Sequence, residues 1–106
     1  GGMPGNMNNL MKQAQKMQKE MAKVQEGLGE ITVEASTGGG AVRVVANCQQ
    51  EIKEVHIDPA AVDPDDPTLL EDLVLSAVNE ALKSARERAA QEMEKVTGGL
   101  KIPGLF

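Results

Sequence analysis

The chain has 106 residues, is 41% apolar and 25% charged and carries a net charge of −5, which excludes a disordered or fibrous protein and leaves room for one domain, residues 1–106. Phe106 is its only aromatic residue, so any core must be built from Leu, Ile, Val, Met and Ala, and so thin a core points to a homodimer for extra stability. Cys48 is alone, which excludes an internal disulfide or a cysteine-held metal cluster; with no run near the ~18 apolar residues of a membrane span and no secretory signal, a cytoplasmic protein without a membrane partner is expected.

Met7, Leu10, Ala14, Met17, Met21, Val24 and Leu28 succeed one another at spacings of three and four. That spacing predicts a helix over about 7–28, roughly 33 Å long and packed along its whole length, with Asn6 or Asn8 capping its start and Gly27 and Gly29 ending it. Lys12, Lys16, Lys19 and Lys23 form a second stripe on the face opposite this seam.

From Glu30 the period changes to two, predicting strands over about 30–36, 41–47 and 52–58, the first two joined by a turn at Gly38, Gly39 and Gly40. Together they make a three-stranded antiparallel meander. Pro59, Pro64 and Pro67 then interrupt regular structure. A second long helix is predicted over about 67–97, started by Asp66 with Pro67 or by Thr68 with Glu71, and followed by a tail at 98–106. Its first half is broadly apolar and should lie on the sheet. Its second half keeps only Ala85, Ala89, Met93 and Val96 in line and should project, pairing with the methionine seam of the same chain or of a second subunit. The fold class expected is α+β in the order α-β-β-β-α.

Candidate chemistry is sparse. His56 lies within a strand with no second His or Cys at ligand spacing, and Cys48 reads as a turn or core residue. The triple glycine joins two strands, whereas a phosphate loop joins a strand to a helix and carries a following Lys. Asp63, Asp65 and Asp66 lack the Glu that would complete a calcium loop and read as turn and cap residues. No hydrolase, zinc-protease or dinucleotide motif occurs, so neither an enzyme nor a cofactor, metal site or small-molecule substrate is expected.

The lysine stripe reads either as a solvated face or as a contact surface, and the distribution of charge favours the second. Residues 1–29 carry four lysines against two acids, residues 30–80 two bases against eleven acids, and residues 81–106 five bases against three. If the two helical overhangs pair, Arg86, Arg88 and Lys95 add their charge to that of the first helix, away from the acidic middle. Such an arm suits neutralisation of phosphates, which is independent of base sequence. With no aromatic residue before Phe106 there is no base-stacking platform, which leaves double-stranded DNA. A different class of reading takes the Met/Ala seam as a groove for a partner protein's helix.

The blocks "NNLMKQAQKMQKEM", "EVHIDP", "LLEDLVLSAVNEAL" and "TGGLKIPGLF" resemble, in order and spacing, the YbaB/EbfC nucleoid-associated proteins of bacteria over essentially the full chain. The resemblance implies a cytoplasmic, nucleoid-located homodimer, shaped like tweezers with helical arms about a central sheet, that binds double-stranded DNA and has a role in nucleoid organisation or gene regulation. It implies DNA-binding roles for Lys12, Gln13, Lys16, Lys19 and Lys23, with Arg86 and Arg88 on the second helix.

Overall fold

The computed structural model describes residues 4–98, so all but the first residue of the expected 98–106 tail lies outside the described residues. Helix α1 spans Pro4–Gly27. It begins three residues before the expected 7, because a proline, with its fixed φ and missing N–H, suits a helix's first turn. Asn6 and Asn8 therefore sit within the helix and not at its cap. A single 3₁₀ turn, Leu28–Glu30, leads into β1, Thr32–Thr37, followed by β2, Val42–Asn47, and β3, Ile52–Ile57. Helix α2 fills Pro67–Thr97. The three strands form one antiparallel sheet in the order β1-β2-β3, so the α-β-β-β-α reading holds. The molecule measures 79 × 24 × 16 Å with a radius of gyration of 21.0 Å, against about 13 Å for a compact chain of this length; the helices overrun the sheet.

The β1–β2 turn uses positive φ at all three glycines, 62° at Gly38, 67° at Gly39 and 96° at Gly40. Next to it the Thr37 hydroxyl donates to the Leu73 carbonyl at 2.7 Å, tying the turn to α2. A Cβ at Gly38 would sit 3.0 Å from a Leu73 methyl, whereas one at Gly39 would meet nothing within 4 Å. Gly39→Ala is therefore expected to cost only the left-handed penalty of about 1–2 kcal/mol, and Gly38→Ala more than that, because Leu73 must also move. Urea unfolding of the two variants checks the order.

Of the two α2 starts open to the sequence, the chain uses Asp66, whose carboxylate accepts from the Leu69 N–H at 3.4 Å, with Pro67 at the first helical position. The fully buried core is Val42, Val44 and Ala46 of β2 against Ala77, Ala81 and Ala85 of α2. Alanines four apart put a flat strip on the helix and let its backbone approach the sheet closely. Val33, Ala35, Leu70, Leu73, Val74 and Val78 pack around this centre. Helix α2 thus lies across β1 and β2.

It does not cover β3, every residue of which is exposed. Val55 pairs with Val44 and Ile57 with Val42, so both face the same side of the sheet as the core. Their exposure comes from α2 stopping short of the third strand. The methionine seam also departs from the expectation of packing along its full length. Met17, Met21 and Val24 are half-buried beside α2, whose Ala89, Met93 and Val96 are half-buried in turn. Met7, Leu10 and Met11 lie 56–60% exposed.

The root of α1 is held by the β2–β3 turn. Asn47, only 1% exposed, donates from Nδ2 to the Gly29 carbonyl at 3.3 Å and to Glu51 Oε1 at 2.7 Å. Its Oδ1 accepts from the Gln49 and Glu51 N–H groups at 3.0 Å each. The Cys48 N–H donates to the carbonyls of Leu28 and Ile31, and Gln49 Nε2 to that of Gln25. A buried polar side chain must find partners for its desolvated groups, and Asn47 finds them on both sides of the joint between arm and sheet.

Candidate nucleic-acid interface

Lys12, Lys16, Lys19 and Lys23 all project from α1 into solvent, on the side opposite Met17, Met21 and Val24. At 1.5 Å per residue the stripe is about 16 Å long, over which one DNA strand presents about five phosphates. Lys12, Lys16 and Lys19 line a shallow concavity together with Gln15. Gln13 is exposed but lies about 100° around the helix from Lys12, off the stripe. Gln15 is a residue that the sequence reading passed over; its spacing, three after Lys12 and four before Lys19, was the available signal.

The basic residues of α2 do not form one surface. Arg86 and Arg88, two residues apart, point about 200° away from each other. Arg88 Nε donates to Glu92 at 3.0 Å, and Lys95 Nζ to both oxygens of the same carboxylate at 3.0 Å. Those hydrogen bonds, Arg88's first and then Lys95's, hold the Glu92 carboxyl below the usual carboxylate range. Glu92 thus engages both bases and offsets one of their two charges. Arg86 instead shares a polar groove on α2 with Ser76, Asn79, Glu80 and Lys83. Lys83, one turn before Arg86, is a base that lies outside the contact set expected from the sequence.

The remaining titratable groups offer little chemistry. His56 bonds Glu54 at 2.7 Å and Arg43 bonds Glu34 at 3.4 Å, both pairs exposed. Burial pushes the Cys48 thiol above its ordinary pKa, with nearby Arg88 opposing the shift. The thiol is therefore protonated at neutral pH and a poor nucleophile, and a thiol reagent at pH 7.5 is expected to modify the native chain far more slowly than the urea-unfolded one, checked by the rate of disulfide exchange. Among the described residues no group of three His, Cys, Asp or Glu could hold a metal ion, and no helix is long and apolar enough to cross a membrane.

An apolar concavity lies between β3 and α2. Ile57, Leu70, Val74, Leu75 and Val78 line it, with Glu71 at its rim. Val55 and Leu75, 47% and 61% exposed, extend this open face, which is where the sheet lacks a covering helix.

A family model described as the YbaB/EbfC DNA-binding family matches residues 3–100. A nucleoid-associated protein of Ruminiclostridium cellulolyticum is 61% identical over all of this chain and 93% of its own length. Another, of Acetivibrio thermocellus, is also 61% identical, over the whole chain and 97% of its own length. Among solved structures, uncharacterized protein HP0035 from Helicobacter pylori superposes with a TM-score of 0.61 at 24% identity, covering 74% of this chain and 90% of that one; this likeness concerns the fold.

Proposed function

The chain belongs to the YbaB/EbfC DNA-binding family, and from that premise we propose that its residues 1–106 form one domain that dimerises and grips double-stranded DNA with the lysine faces of its two α1 arms. The observation that carries this reading is the segregation of four exposed lysines onto one side of a projecting helix in a chain whose net charge is −5. Lys12, Lys16, Lys19 and Lys23 contact phosphates, Gln13 and Gln15 flank them, and Arg86 with Lys83 adds a weaker patch. Arg88 has its charge met by Glu92 and contributes least. The second copy docks on the apolar β3–α2 face, where its own uncovered sheet lacks the same cover, so that a two-fold axis satisfies both at once. No bond is made or broken, and the protein works in the cytoplasm on the bacterial nucleoid, organising DNA or regulating genes, without cofactor or small-molecule substrate.

The arm's distance from the body supports the reading. Lys12, Lys16 and Lys19 lie about 13–24 Å along α1 from Leu28, beyond the Debye length of about 8 Å at physiological salt. The acids of the middle segment are therefore screened from the DNA that the arm meets. The test is binding to a labelled duplex of random sequence across a series of salt concentrations. Two sets of four lysines release roughly eight counterions and contribute a slope of about −7 to the fall of log K with log salt, to which the weaker Lys83–Arg86 patch adds. Absence of binding even at low salt would refute the reading and leave the lysines as a solvated face.

A further inference from the structure

Helix α2 covers only the root of the α1 seam. Met17, Met21 and Val24 are half-buried beside it, whereas Met7, Leu10 and Met11 further along the arm stand 56%, 60% and 58% exposed. At about 100° per residue these three point within about 80° of Met21, while Lys12, Lys16, Lys19 and Lys23 point about 140–180° away from it. The outer arm therefore carries an apolar face and a basic face back to back. No residue from Pro4 to Met11 is charged, so the apolar face meets no like-charge repulsion from a copy of itself. The face assigned to the dimer contact lies elsewhere: its Val78 is about 28 Å of helix from Thr97, at the sheet end of α2.

We propose, resting on the DNA-binding reading above, that this face binds the same face of a second copy and thereby links two duplexes. Seating Met7, Leu10 and Met11 of two arms against each other covers both at once, as a two-fold contact does. Methionine suits the contact because its flexible thioether moulds to an irregular partner. Packed helices stand about 8–10 Å apart, so the two lysine stripes end up on the outside of the pair, about 20 Å apart and facing opposite ways. DNA is stiff over about 150 base pairs and does not wrap so thin a pair of helices. Each stripe therefore meets a duplex of its own. Three side chains a copy fall far short of the roughly 20–30 residues a side of a stable interface, so the contact does not join dimers free in solution. It acts where many copies line the same two duplexes and their effective concentration is high.

The test is capture of a long fluorescent duplex by beads that carry an unlabelled one, run beside ordinary binding to a single duplex. Wild type is expected to bind the single duplex and to hold the fluorescent one on the beads. The triple variant Met7→Gln, Leu10→Gln and Met11→Gln, which keeps helix propensity, should lose capture with single-duplex binding unchanged. Met7→Leu with Met11→Leu, which keeps the face apolar, should retain capture. Capture by the glutamine variant equal to that of wild type would overturn the proposal, since the two arms of one dimer would then bridge by themselves and the tip would serve another segment or partner. Single-duplex binding by wild type without capture would refute it as well and leave the DNA-binding reading standing. Failure of wild type to bind even the single duplex would sink that reading and the bridge with it.

Discussion

Replacing Lys12, Lys16, Lys19 and Lys23 together by alanine is expected to remove duplex binding at 100 mM salt and to reduce the salt dependence to the small part that the Lys83–Arg86 patch supplies. Each phosphate contact contributes about one unit to the log–log slope, and the four substitutions delete every such contact assigned to α1. The body gives no substitute, because residues 30–80 hold eleven acids against two bases. Stability should barely change. All four side chains are exposed, alanine is a better helix former than lysine by only a few tenths of a kcal/mol, and surface substitutions usually fall within about 0.5 kcal/mol. A melting curve that matches wild type, beside a gel shift that has vanished, is the expected pair of results. The single variant Arg88→Ala should retain most of the binding, because that guanidinium already serves Glu92 at 3.0 Å. If the quadruple variant binds as tightly as wild type, the arm is not the contact surface.

Val55→Asp is expected to split the proposed dimer. Within one protomer Val55 is 47% exposed, so a carboxylate there is tolerated by the isolated fold. At a closed interface the same charge would be stripped of water without a partner, at a cost of several kcal/mol. Light scattering should show the mass falling from about twice 11.2 kDa to 11.2 kDa, with circular dichroism unchanged. His56→Asp on the same strand serves as the control, since His56 lies between Val55 and Ile57 and faces the other side of the sheet. DNA binding should then weaken in a specific way: the four lysines of a single protomer contribute a salt slope of only about −4. A Val55→Asp protein that still sediments as a dimer would move the interface elsewhere.

Much of this architecture can be read from residue order. The sheet-proximal part of the α1 seam, the opposite lysine stripe, the alternation of β1, the triple-glycine turn and the Asp66–Pro67 start of α2 each depend on neighbours within a few residues, and each is in the structure. What residue order hides is reach. Periodicity marks Val55 and Ile57 as apolar but cannot say that α2 crosses only β1 and β2, and it marks Met7 and Leu10 as seam without saying where α2 ends. The helix starts at Pro4 and not near residue 7 because asparagine capping and proline placement compete there and proline prevails. The separation of Arg86 from Arg88 follows from 100° per residue, and the engagement of Arg88 and Lys95 by Glu92 from spacings of four and three; both were legible in principle.

The joint at Asn47 gives the arm a mechanical property. Lys12 stands about 24 Å from Leu28, so a pivot of 10° at the joint would sweep that lysine through about 4 Å, roughly the axial step from one phosphate to the next on a DNA strand. The hydrogen bonds from Asn47, Cys48 and Gln49 to the backbone of residues 25–31 therefore work as the fulcrum of a lever, and the aim of the arm is decided at its short end. If the lysines meet DNA as proposed, a buried amide remote from the nucleic acid sets which phosphates they can reach.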